Sequence, residues 1–383
     1  MKQKISLVTV VMVSVFFAFP GCKKFSNPRC SGDKNLVITT NIFATGLHNP
    51  RGLKFGPDGH LYVAEGGYGG KNISTNCQQP PPPVGPYMGS DTGSRISRID
   101  MNGVRTTFVD HLPSCTGGPG TGSAITGMAD VAFIGNTMYG LIAGAGCSHS
   151  VPDIPNSVVR INPDHTWTVA ANYSNFLLSN PVASPDADDF TPDGNPYSMT
   201  VGNGNIYIAE PNHQEIDEVS PKTGEIKRIA DISILHNGAS DWIGPTTIVS
   251  HNGNLYFGTL TSFPLVQGAA TVYKLLPNGT YTPYATGFTA ILGILFDYNN
   301  NLYVLENTVG SPTPSPGSGD VVRVEPSGKR EIVTSGLHLP TAMTLGPDGK
   351  LYISDWGTGP IGLGQIVQVG FTCQYVGADT QAD

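Results

Sequence analysis

A short phrase that occurs six times constrains this chain more than any other feature. Phe55-Gly-Pro-Asp-Gly-His-Leu-Tyr-Val63 comes back almost unchanged as Leu345-Gly-Pro-Asp-Gly-Lys-Leu-Tyr-Ile353. Looser copies stand at Asn136-Thr-Met-Tyr-Gly140, Gly204-Asn-Ile-Tyr-Ile208, Gly253-Asn-Leu-Tyr-Phe257 and Asn300-Asn-Leu-Tyr-Val304. The repeat tyrosines, Tyr62, Tyr139, Tyr207, Tyr256, Tyr303 and Tyr352, are separated by 77, 68, 49, 47 and 49 residues. The last three intervals give the bare unit, and the first two carry insertions.

Each unit has the same internal order. Four units place a Pro eleven or twelve residues before the Tyr, followed within three residues by an apolar side chain: Pro50, Pro196, Pro245 and Pro340. This begins a first strand, and a Gly or Asn turn leads into the Tyr strand. Alternating third strands follow at residues 95–99, 158–161, 216–219, 272–275 and 321–324, and turns such as Asn102-Gly103 return the chain to a fourth. Six four-stranded antiparallel units predict an all-β fold, a six-bladed β-propeller over residues 35–373. The last unit stops after its third strand (365–369), while an orphan strand (36–43) precedes the first. If the orphan supplies the missing outer strand, the ring closes and two exposed sheet edges disappear.

Composition agrees. The 48 Gly and 31 Pro among 383 residues leave little room for long helices, while 39% hydrophobic residues suffice for a core. Net charge is −8 without long charged runs, so nucleic acid is not an expected partner.

Lys2 and Lys4 precede an apolar run at 5–19, which has the build of an export signal and is too short to span a bilayer. Residues 1–21 are therefore read as a signal peptide, 22–34 as a tether and 374–383 as a tail. Gly21-Cys22 resembles the lipobox of bacterial lipoproteins, which implies acylation of Cys22 and membrane contact through lipid; a plain secretory signal is the alternative. Loss of 1–21 takes the net charge from −8 to −10. Export allows cysteines to pair. Ring closure would bring Cys30 and Cys373 to one rim, predicting a bridge. Of Cys77, Cys115 and Cys147, all expected in loops of the opposite rim, Cys115 with Cys147 is the favoured pair. None has the spacing of a zinc site.

The long insertions, at 66–93, 116–126, 144–156, 177–195 and 311–319, all fall on one face, called here the top. Long loops on a rigid scaffold are where binding or catalysis tends to sit. Three residues after the repeat Tyr stand Glu65, Glu210, Glu306 and Asp355 in four of the six units. They form either a ring of acids able to hold Ca2+ or to tune a general base, or repeated acceptors for loop backbone. Arg51 could pair with Glu65. His48, Asn49, Asp130 and Asn195 begin first strands and could face the channel; Asn49, Asp130, Asn195 and Glu65 make the candidate metal set. Asp186, Asp188, Asp189 and Asp193 form an acidic loop without EF-hand spacing. Trp242 and Trp356, with His149 and His213, lie in top loops where they could stack on a ligand or simply pack. No G-x-S-x-G, H-E-x-x-H or P-loop motif occurs.

Residues 45–65 (Thr45-Gly-Leu-His-Asn-Pro-Arg-Gly-Leu-Lys-Phe-Gly-Pro-Asp-Gly-His-Leu-Tyr-Val-Ala-Glu65), Gly66-Gly67, Gly93-Ser94-Arg95-Ile96 and Asn195-Pro-Tyr resemble the ScyD/ScyE family of exported bacterial propellers, along nearly the whole chain. The resemblance implies a six-bladed propeller outside the cytoplasm and no settled activity. More distantly the repeats resemble NHL-type propellers, which mostly bind partners, and gluconolactonase and senescence-marker propellers, which are metal-dependent lactone hydrolases. The latter carry a Glu where this chain has Asn49-Pro50-Arg51. The expectation is a monomeric, lipid-anchored binding module of the cell envelope, periplasmic or at the cell surface, with an unknown envelope ligand or protein as partner. The alternative is a Ca2+-dependent lactonase or esterase.

Overall fold

The computed structural model describes residues 34–79, 82, 84–117, 124–185, 191–235 and 242–375. The signal, Cys22, Cys30, the acids Asp186, Asp188 and Asp189, and most of the Pro80 to Pro83 run lie outside the described residues. Among the described residues no helix is long and apolar enough to cross a membrane.

Six antiparallel sheets surround one axis. The first strand, β1 (Lys34–Leu47), ends up in the last blade. Blade 1 is β2 (Pro50–Phe55), β3 (Leu61–Glu65), β4 (Met88–Ile99) and β5 (Arg105–Thr116), edged by the short β6 (Ile125–Thr126). Blade 2 is β7 (Met128–Ile134), β8 (Thr137–Ile142), β9 (Ser157–Ile161) and β10 (Trp167–Asn172), and α1 (Tyr173–Ser179) follows it. Blade 3 is β11 (Ser198–Gly202), β12 (Asn205–Glu210), β13 (Glu215–Val219) and β14 (Ile226–Asp231). Blade 4 is β15 (Ile243–His251), β16 (Asn254–Thr261), β17 (Ala270–Leu275) and β18 (Tyr281–Phe288). Blade 5 is β19 (Ile291–Phe296), β20 (Leu302–Glu306), β21 (Pro316–Val324) and β22 (Arg330–His338). Blade 6 is β23 (Ala342–Leu345), β24 (Leu351–Asp355) and β25 (Gly364–Tyr375), completed by β1.

The orphan strand closes the ring, as expected. β1 runs antiparallel to β25 from Lys34 opposite Tyr375 to Leu47 opposite Gly364, longer than either predicted segment because pairing continues through two register shifts.

The repeated phrase has a local cause. Asp58 accepts the His60 amide at 3.2 Å and the Tyr62 hydroxyl at 3.0 Å, so the turn and the next strand are tied by one carboxylate. Gly59 sits at φ 78°, and a Cβ on Gly56 would meet the Tyr62 ring at 2.6 Å. Asp348 and Tyr352 repeat the bond at 3.0 Å. Each blade then buries its faces against its neighbours. At the seam of blades 6 and 1, Tyr352 packs among Leu53, Leu61 and Val63, with Phe43 and Phe55 edge-on at 5.0 Å. Burying such side chains stabilises by about 1.5–3 kcal/mol each.

The cysteines correct one expectation. Cys147 pairs with Cys77, at a Cα separation of 5.7 Å, and not with Cys115. Cys115 belongs to the long strand β5 rather than a loop, faces the interior and is free, with its thiol 2.9 Å from Thr126 Oγ1. Burial pushes that thiol up to about 12. Cys373 is disulfide-bonded to a partner outside the described residues.

Candidate functional site

The four repeated carboxylates are buried and do the same job. Glu65 accepts the His48 amide, Glu210 that of Asn195, Glu306 that of Thr289 and Asp355 that of His338, each at 2.6 Å. Each therefore pins the loop that leads into its blade's first strand. What varies is the residue opposite on the third strand: Arg95 across from Glu65, Glu215 from Glu210, Asp320 from Glu306, Gln365 from Asp355. Arg95 grips Glu65 with Nε and Nη2 at 2.8 Å, and Ser97 adds a short bond. The expected Arg51–Glu65 pair is thus replaced, because the residue opposite Glu65 takes the carboxylate. Gln365 donates to Asp355 at 2.8 Å. In blades 3 and 5 acid faces acid. Burial pushes Glu215, Asp217, Glu306 and Asp320 upward; Arg228 bridges Glu215, and Tyr173 donates to Asp217.

The axis is different. A bulge between Pro50 and Leu53 breaks the β2–β3 register, and bulges recur near the top of β7, β15 and β19. Such an extra residue re-aims side chains, and here it turns Arg51 away from Glu65. Its guanidinium donates to Ile125 O and, at 3.5 Å, to Tyr197 Oη, lying 5.7 Å from the Tyr197 ring centre. Tyr197 in turn donates to Thr341 O at 3.4 Å. Blades 3 and 6 are half a turn apart, so Tyr197 spans the axis as a crossbar. Burial pushes its phenol upward.

Two cavities share Tyr197 as their single common wall residue. The upper, ≈ 180 Å³, is lined by Arg51, Asn195, Thr126 and Thr358 among small apolar groups such as Ala129 and Ala143. The lower, ≈ 230 Å³, follows the first strands downward and contains Asp130 and Lys54. Asp130 spends its oxygens on the amides of Val131 (2.8 Å) and Met199 (2.9 Å). Gly52 makes room for it, since a Cβ there would stand 1.9 Å from Asp130 Oδ1. Burial pushes the Asp130 carboxyl upward, with Lys54 pulling the other way.

Of the residues singled out in the sequence, Arg51 and Asn195 meet in the upper cavity and Asp130 enters the lower one. Asn49 adopts φ 51° and donates to Gly67 O at 2.9 Å, leaving its Oδ1 buried without a hydrogen bond. Desolvation, then the Arg95 charge, hold the His48 imidazole below its usual range. Trp356 stacks on His338 at 4.9 Å and Trp242 packs beside Gly244, and neither lines an axial cavity. His149 is buried against Tyr87, and His213 bonds Glu210 and Thr191. Asp193 is buried on Ser148, whose amide and hydroxyl donate to it at 2.8 and 2.7 Å. Tyr197 and Thr341 went unremarked as site residues, yet a signal existed. In the units with a leading Pro, the next residue is Arg51, Tyr197, Thr246 or Thr341, and three of these four meet at the axis.

For Ca2+ the fit of Asn49, Asp130, Asn195 and Glu65 is poor: the oxygens of Glu65 and Asp130 are taken by the donors named above. Among the described residues no group of three or more His, Cys, Asp or Glu side chains has a metal-holding arrangement.

No family model matches the chain, and no curated protein matches it. Solved structures do. A protein from Thermus thermophilus, provisionally described as an oxidoreductase (glucose dehydrogenase), is 16% identical, covering 87% of this chain and 100% of that one, with a TM-score of 0.53. The PQQ-bound aldose sugar dehydrogenase of Streptomyces coelicolor is 12% identical over 88% and 99%, TM-score 0.51. A protein provisionally described as a gluconolactonase is 10% identical over 88% and 93%, TM-score 0.50. At these identities the likeness is one of fold: a six-bladed propeller.

Proposed function

We propose that the chain is an exported binding module of the cell envelope, of ScyD/ScyE type, that holds a small ligand in the upper axial cavity. The observation that carries this reading is the crossbar: Tyr197 closes the floor of a top-facing cavity beside a buried guanidinium. The repeated acids, by contrast, are occupied in holding the scaffold. The anchor in this reading is acylated Cys22, and the acidic mature chain adds no electrostatic attraction to anionic lipid. Thermal-shift screening of small polar compounds against the wild type and T358F, which narrows the upper cavity, tests it. Compounds that stabilise the wild type and not the variant are expected; no stabilisation by any compound refutes the reading.

A second reading, a lactonase or esterase, draws on the fold likeness to proteins described as a gluconolactonase and as sugar dehydrogenases. The poor fit of the candidate ligand set to Ca2+ weighs against it. Turnover across a lactone panel that chelator abolishes would establish this second reading and displace the first.

A further inference from the structure

Arg51 is only 9% exposed, and among the described residues no carboxylate stands within salt-bridge distance of it. A buried charge left without a counter-ion is destabilising by several kcal/mol. The other ionic side chains of the top rim do not supply one: Glu65 is held by Arg95. Asp130, near the far side of Tyr197, has both oxygens on backbone amides and is faced by Lys54. Of the five guanidinium N–H donors, Ile125 O and Tyr197 Oη take two. Among the described residues no acceptor takes the other three, and Arg51 lines a cavity whose other walls are mostly small and apolar.

We infer that the upper cavity is a carboxylate site, taking a small organic monoanion whose charged end meets Arg51 and whose body rests on Ala129, Ala143 and Pro196. A planar guanidinium offers a carboxylate paired donors in a fixed fork, which an ammonium does not. The volume is adequate, since a cavity of about 150 Å³ admits a benzene ring. Tyr197 positions the cation from below through its hydroxyl and ring face. The inference rests on the axial-binding reading and adds the charge class of the ligand.

Calorimetric titration with benzoate and with its neutral isostere benzamide tests it on the full mature chain. Benzoate is expected to bind about tenfold or more tighter than benzamide, R51Q to lose that preference, and R51K to recover it only in part. T358F, which leaves Arg51 in place, is expected to weaken both probes, so the test survives if R51Q fails to fold. Equal affinity for the two probes, or an R51Q protein that keeps the preference, overturns the carboxylate site. If a neutral compound from the thermal-shift screen binds in the cavity while benzoate does not, the charge class is refuted and the axial-binding reading stands. Failure of every compound, charged or neutral, refutes both.

Discussion

The acid pair in blade 5 makes the sharpest energetic prediction. Glu306 receives the Thr289 amide, and Asp320 faces it across β20 and β21 with one oxygen buried and unpaired. Desolvation, then the Glu306 charge, push the Asp320 carboxyl from its ordinary 3.8 to about 7. The folded chain therefore holds a proton that the unfolded chain releases near pH 4. Stability from this pair is fully present below the unfolded value and is lost as pH rises through about 7. Each pH unit is worth about 1.36 kcal/mol, so three units give at most about 4 kcal/mol. Solvent screening at a partly accessible edge brings this to roughly 2–4 kcal/mol. D320N keeps an N–H to donate to Glu306 and cannot ionise. Denaturant unfolding of both proteins across this range is expected to show near-equal stability at about pH 4. By about pH 8 the variant should be more stable by roughly 2–4 kcal/mol. A stability difference independent of pH, or a variant less stable than wild type at the alkaline end, refutes the shared proton.

Removing the Cys77–Cys147 bridge, which closes a loop of 70 residues, should destabilise by about 2–4 kcal/mol in the same unfolding assay. Cys115, buried and held as a thiol, should resist alkylating reagents until the chain unfolds, and rapid labelling of the native protein would contradict its placement. Y197F loses the bond to Thr341 O and the hydroxyl that accepts from Arg51, and should cost about 1–3 kcal/mol, leaving the fold unchanged by circular dichroism. Replacing Cys22 with Ser should release the protein from the membrane fraction; retention there refutes the lipid anchor.

The fold could be read from the sequence because the repeated phrase encodes its own turn: Asp58, Gly59 and Tyr62 form one local unit, and so do their counterparts at 348, 349 and 352. The closing strand was legible for a related reason, since a unit one strand short needs one from elsewhere. The axial site was harder. Whether Arg51 meets Glu65 or Tyr197 depends on one extra residue in β2, and a bulge reverses side-chain direction without leaving a composition signal. The acids were visible as a repeat, but their work depends on what stands opposite, and that position holds an arginine at Arg95, an acid at Glu215 and Asp320, and an amide at Gln365. The expected Cys115–Cys147 bridge does not form because strand β5 is longer than its alternating pattern and carries Cys115 into the interior.

The pairing of β1 with β25 has a consequence for how the molecule is completed. Lys34 and Tyr375 lie opposite one another although almost the whole described chain separates them. Loop-closure entropy grows only logarithmically, so joining such distant segments costs about 2 kcal/mol more than joining strands one blade apart. Thermodynamically the seam is cheap. In time it must come last, because the sixth blade has no edge to offer β1 until β25, residues 364–375, is in place. Until then the blade 6 edge and the unpaired β1 are both open to pairing with other chains. The interval between emergence of the first strand and arrival of the last is the period when this protein is most exposed to wrong partners.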